Sequence, residues 1–277
     1  MRLSLQHCSP TDIDQLTHFP FRLLARLPPD RLINLFYGPS TPQAHLASKR
    51  NFTSRFADPT IVLLKVIDLD SPADFEVRGI DASTGEFTGE IRKEARILAI
   101  SQWKVVPKYT PLTPPYGKEL NDGGMLITPE MMTHLPTAAE KDECAAVLNV
   151  WLERRRREQK EAHLHLALMV VDADFHRMGL GSMMADWGNR VADALGVACW
   201  LEASDMGKGL YEKHGYVHMK EKKWKLEGDG LGHGLAQWVM RRPPKPLPIV
   251  EVHSDSRDDS AKGHVKAVAS EAAGSGV

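Results

Sequence analysis

The apolar and polar positions fall into short blocks of differing period. Residues 2–6 alternate polar and apolar, which predicts a strand, and Ser9-Pro10 then supplies a cap and a first-turn proline for a helix running toward Leu16. The runs TIVLLKVID (60–68) and RILAISQWKVV (96–106) are β-branched and apolar enough for buried strands, joined by a polar connection that contains Ser83-Thr84-Gly85. Residues 107–136 are rich in proline and glycine and predict a long loop insertion, either a lid or disorder. Thr137 and Glu140 then form a capping box for a helix whose apolar face is Cys144, Val147, Leu148, Trp151 and Leu152. The run Arg154 to Arg157 reads as the solvated end of that helix, diluted by Glu153, Glu158 and Glu161.

Residues 163–171, HLHLALMVV, form the strongest strand pattern. Strict alternation would put Leu164, Leu166, Leu168 and Val170 on one face and His163, His165, Ala167, Met169 and Val171 on the other. A helical stripe follows at Leu180, Met183, Met184, Trp187, Val191 and Leu195, ended by Gly196, and 197–203 is another strand. Residues 216–226 and 235–242, separated by a glycine-rich stretch, predict a terminal antiparallel pair. From Pro243 onward apolar clusters disappear, so 243–277 reads as a disordered tail behind a single domain, 1–242.

Composition narrows the function. Thirty-five Lys and Arg against 36 Asp and Glu leave no field to gather nucleic acid or an acidic membrane surface. No apolar stretch has the length of a bilayer span, and Cys8, Cys144 and Cys199 lack the spacing of a zinc or redox pair. These features predict a protein of the cytoplasm or nucleus with no metal, no membrane and no nucleic-acid partner. Its oligomeric state is left open.

The chemistry sits in DFHRMGLGS (174–182), where a strand passes almost directly into a helix through Gly179 and Gly181. The first amides of a helix lack intrahelical acceptors, its dipole places positive charge there, and missing Cβ atoms let an oxyanion approach the backbone. Arg177 adds a charge. The dinucleotide fingerprint fails because Met184 stands where a third glycine is needed, and the Walker Lys-Ser/Thr pair is absent. The surviving pattern, Arg-x-Gly-x-Gly opening a helix after a strand, resembles that of the GCN5-related N-acetyltransferases (GNAT), with His176 in place of the family's Gln or Arg. The segment from Trp200 to Tyr216, WLEASDMGKGLYEKHGY, is similar to the family's next strand and Leu-Tyr-x-x-x-Gly-Phe/Tyr helix.

The resemblance implies an α/β fold with a mixed, mostly antiparallel sheet flanked by helices, its central strands splayed apart. It implies acetyl-CoA as cosubstrate. The pyrophosphate would lie on His176, Arg177, Met178, Gly179, Leu180, Gly181 and Ser182, and the pantetheine arm along Met169, Val170 and Val171, with Ser204 a further candidate. Tyr211 occupies the family's tyrosine position, where a phenol near the sulfur acts as general acid or hydrogen-bonds the thiolate. Proton acceptors for the attacking amine are His165 and Glu202, with Asp205 nearby. The pair His163-Leu164-His165 resembles that of arylalkylamine N-acetyltransferases, but only His165 is in register and Ala167 takes the other place. The expected activity is direct acetyl transfer to a primary amine, a small molecule being favoured. The alternatives are a non-catalytic acyl-CoA-binding module and an acetyltransferase acting on protein lysines or N-termini.

Overall fold

The computed structural model describes residues 1–26, 31–107, 127–219, 224–225 and 236–246. Its strands are β1 (Leu3–His7), β2 (Ile61–Asp68), β3 (Phe75–Ile80), β4 (Phe87–Glu94), β5 (Ile97–Val106), β6 (His163–Val171), β7 (Ala198–Ala203), β8 (Val217–His218), β9 (Trp224–Lys225) and β10 (Ala236–Arg242). Its helices are α1 (Ile13–Leu24), α2 (Arg31–Tyr37), α3 (Pro42–Ala57), α4 (Ala138–Glu158), α5 (Leu180–Leu195) and α6 (Asp205–Lys213).

The main sheet runs β1-β2-β5-β6-β7-β10-β8, with β9 also pairing β10. Every pairing is antiparallel except β6 with β7, joined by the crossover helix α5. This is the mixed, mostly antiparallel sheet that the sequence predicts. The polar connection between β2 and β5 is more structured than its composition suggested, for β3 and β4 pair as a separate hairpin. Asp81 organises the hairpin turn by accepting bonds from the amides of Ser83 and Thr84, both at 2.8 Å.

One face of the sheet packs on α1 and α3 through Leu16, Phe19, Phe52, Leu63, Ile97 and Ile100. The other packs on α5 through Leu180, Met184, Val66, Leu98 and Ala99. The buried stripe of α5 is Leu180, Met184, Ala185, Gly188 and Ala192, whereas Leu195, expected to be apolar core, is exposed. A Cβ at Gly188 would come within 2.2 Å of the Trp103 ring, so glycine is what lets α5 approach β5.

Thr137 caps α4 as expected, its hydroxyl accepting from the Glu140 amide at 3.2 Å. Within the predicted loop insertion, residues 108–126 lie outside the described residues, but the part from Ile127 on is packed. Ile127 exchanges bonds of 2.8 Å with the Asn149 side chain, and Met132 and Leu135 join Leu35, Cys144 and Val147 in a small core. The glycine-rich stretch before β10 and most of the tail, 247–277, also lie outside. Among the described residues no helix is long and apolar enough to cross a membrane.

Candidate active site

The site is built on a fault in β6. Its ladder with β5 pairs Gln102 with Leu168 but Trp103 with Leu166, so Ala167 is an extra residue without a partner. A bulge of this kind bends its strand and reverses the alternation beyond it. Strict alternation is therefore corrected. Leu164 and Leu166 share the α5 side with Met169, while Leu168 and Val170 pack on the α1–α3 side. The bend also ends the pairing with β7, which covers His163 to Leu166 and goes no further. Among the described residues, β6 from Leu168 to Val171 keeps only β5 beside it, and Glu202 and Ala203 keep only β10. The central strands are thus splayed, and the free edge of β6 offers main-chain donors and acceptors along Met169, Val170 and Val171.

At the wide end of this gap the chain turns into α5. Arg177 has φ 60° and Gly179 φ 86°, and the helix starts without a side-chain cap. A Cβ built on Gly179 would meet nothing within 4 Å, so the backbone is open at the residue that precedes the first-turn amides of Leu180, Gly181 and Ser182. Gly181 is tighter, since its Cβ would lie 3.0 Å from the Leu210 side chain of α6. These features fit a diphosphate. His176 does not share in them, for its Nε2 lies 3.0 Å from the Val171 carbonyl and ties the turn to β6. Asp172 anchors the turn further. Buried, it takes Arg96 at 2.7 Å and Arg22 at 3.2 Å, while Asp174 pairs with Arg26 and Arg96.

Tyr211 is buried on α6 with its hydroxyl 3.7 Å from the Met169 sulfur, so the phenol spans the gap between the diverging strands. Burial raises its pKa well above the ordinary value and keeps the proton on oxygen. Ser204 is committed locally, its hydroxyl accepting from the Gly207 amide at 3.2 Å as the cap of α6. Buried thiols are held protonated, Cys199 and Cys144 at about 11 and Cys8 at about 12. Nucleophilic cysteine chemistry therefore has no support.

On the opposite face, where Leu168 and Val170 meet α1 and α3, His165 stands beside Trp200 of β7. Its Nε2 is 3.3 Å from Glu202 Oε2. Glu202 is in turn gripped by Arg155 of α4, Nε to Oε1 at 3.1 Å and NH2 to Oε2 at 2.8 Å. Burial acts to raise the Glu202 pKa, but Arg155 and then His165 outweigh it and hold the carboxyl well below its usual range. Arg155 is thus no solvated helix end, for its side chain turns inward to Glu202. His163 points its Nδ1 at the Glu161 carbonyl, 2.7 Å away, and burial lowers its pKa to about 4. Gln102 is buried on the same face with no partner for Oε1. Sequence reasoning missed both Arg155 and Gln102, because neither lies in a motif and their meeting with the site depends on tertiary packing. Asp205, at the start of α6, bonds the Trp238 indole at 2.7 Å.

Residues 97–216 match the acetyltransferase (GNAT) family, a span running from β5 through the end of α6 and its following turn. This part of the chain is a GNAT acetyltransferase domain, and the protein is an acyl-CoA-dependent acetyltransferase. The fold is similar to that of arylalkylamine N-acetyltransferase 2 from Aedes aegypti, with 11% identity, a TM-score of 0.53, and 88% of this chain and 99% of that chain covered. It is also similar to a histone acetyltransferase HPA2-related protein from Corynebacterium glutamicum, with 12% identity, a TM-score of 0.48, and 90% and 100% covered. No curated protein matches the chain by sequence.

Proposed function

We propose that the protein transfers an acetyl or short acyl group from acyl-CoA to the primary amine of a small molecule, by direct attack. The observation that carries this reading is the Tyr211 hydroxyl set across the strand gap at Met169, with the uncapped start of α5 at the gap's wide end. The amides of Leu180 to Ser182 and the Arg177 charge suit the pyrophosphate, and the free edge of β6 at Met169 to Val171 suits the pantetheine amides. The amine nitrogen bonds to the thioester carbon as the C–S bond breaks. Tyr211 gives its proton to the departing sulfur, and His165 takes the surplus proton of the amine. Glu202, locked to Arg155, stays ionised and stabilises the imidazolium. Burial of His165 and Glu202 in a small polar cluster favours a compact acceptor.

The test is release of CoA from acetyl-CoA with a panel of small amines and of lysine and N-terminal peptides, beside thermal shift with acetyl-CoA. Turnover on small amines is expected, and Tyr211→Phe should lower kcat about 100-fold with little change in KM. Stabilisation by acetyl-CoA without turnover on any acceptor would instead mark a binding module, and turnover confined to peptides a protein acetyltransferase.

A further inference from the structure

We infer that Arg155, carried by α4 between β5 and β6, is a positioning residue that fixes Glu202 against His165 and so makes the histidine the proton acceptor. The inference deepens the reading above and rests on it for the identity of the proton donor, the acceptor amine.

Three elements converge on one buried cluster. α4 supplies Arg155, β7 supplies Glu202 and β6 supplies His165, with side-chain exposures of 25%, 10% and 4%. Two parallel N–H to carboxylate bonds fix a carboxylate in orientation as well as in charge, which one cation at a single point would not do. A carboxylate so gripped is a poor base. Its remaining value is to orient the imidazole and to offset the charge that appears when the ring takes a proton. The Arg155–Glu202–His165 row therefore divides the work: Arg155 holds the charge of Glu202, Glu202 faces the imidazole, and the imidazole takes the proton.

Among the described residues, other charged and titratable groups near the ring are themselves engaged. Lys104 stands opposite His165 on β5 and interacts with Asp58. His163 precedes it on the same face and is bonded to the Glu161 carbonyl. The Glu161 carboxylate is taken by Arg241 of β10 at 2.7 and 2.9 Å and by the Trp200 indole at 3.1 Å. Among these groups Arg155 is the cation that grips the carboxylate facing His165.

The experiment follows the His165 ring by NMR through a pH titration in the wild type, Arg155→Gln, Arg155→Lys and Glu202→Gln, with the ring assigned by loss of its signal in His165→Gln. Removing a positive charge raises the proton affinity of its neighbours. Arg155→Gln should shift the ring's titration upward by about one pH unit, and the acid limb of kcat/KM should move with it. Glu202→Gln should shift the ring downward. Arg155→Lys should keep the ring near its wild-type value while kcat falls several-fold, because the bidentate grip is lost. The KM for acetyl-CoA should hold throughout. An unmoved or lowered His165 titration in folded Arg155→Gln overturns the inference. The double variant Arg155→Gln/Glu202→Gln leaves no lone buried carboxylate to oppose folding, and it should show the kcat of Glu202→Gln alone; a further tenfold loss also overturns it. If the wild type acetylates no amine, the proposed function fails, and the ring titrations still decide the role of Arg155.

Discussion

Arg177 pays a conformational penalty that its position explains. A non-glycine residue at φ 60° gives up about 1 kcal/mol against glycine, and an exposed arginine has no packing to recover it. The cost makes sense for a charge placed beside open helix amides. Arg177→Gly should accordingly raise unfolding stability by up to about 1 kcal/mol while weakening acetyl-CoA severalfold, read by thermal unfolding and by calorimetric titration. Stability and affinity moving the same way would show that the residue serves the turn and not the ligand. His176 makes the reverse point. It stands in the family's Gln or Arg position, yet its ring meets the Val171 carbonyl and so ties the turn to β6.

At the level of elements, α5 does two things that require opposite surroundings. Its first turn must stay uncapped and open, whereas its middle must press into the sheet. Gly188 makes the second possible, since any Cβ there would overlap the Trp103 ring. Gly188→Ala should destabilise by about 1–3 kcal/mol, more than the gain in helix propensity returns, and chemical denaturation checks it. Because α5 carries the proposed phosphate turn at one end, the same displacement should reach acetyl-CoA binding. The sheet strands were legible because their apolar runs exceed what a loop would carry, and the capping of α4 was legible from Thr137 and Glu140. The β3–β4 hairpin was not, for β4 is mainly exposed and charged, with little hydrophobic signal.

Over the whole molecule, two buried histidines couple folding to acidity. Burial lowers both His163 and His18 from 6.5 to about 4. Between those values the unfolded chain binds protons that the folded chain refuses, so stability falls as pH drops from about 6.5 to about 4. Urea midpoints across that window should decline, and His163→Gln should flatten the decline; an unchanged slope would place the coupling elsewhere. Sequence alone reached the fold class, and local spacing put the two-glycine turn at the start of α5 and Tyr211 on α6. It did not reach Arg155 or the order of sheet faces, because these depend on which strands meet and on one unpaired residue in β6. That residue, Ala167, sets a parity. Were it drawn into the ladder as an ordinary strand residue, every side chain named in this site would survive, but Met169 would fall on the face of the histidines and the strand would close against β7. The site would then be lost by a slip of one place in register, with no change in chemistry.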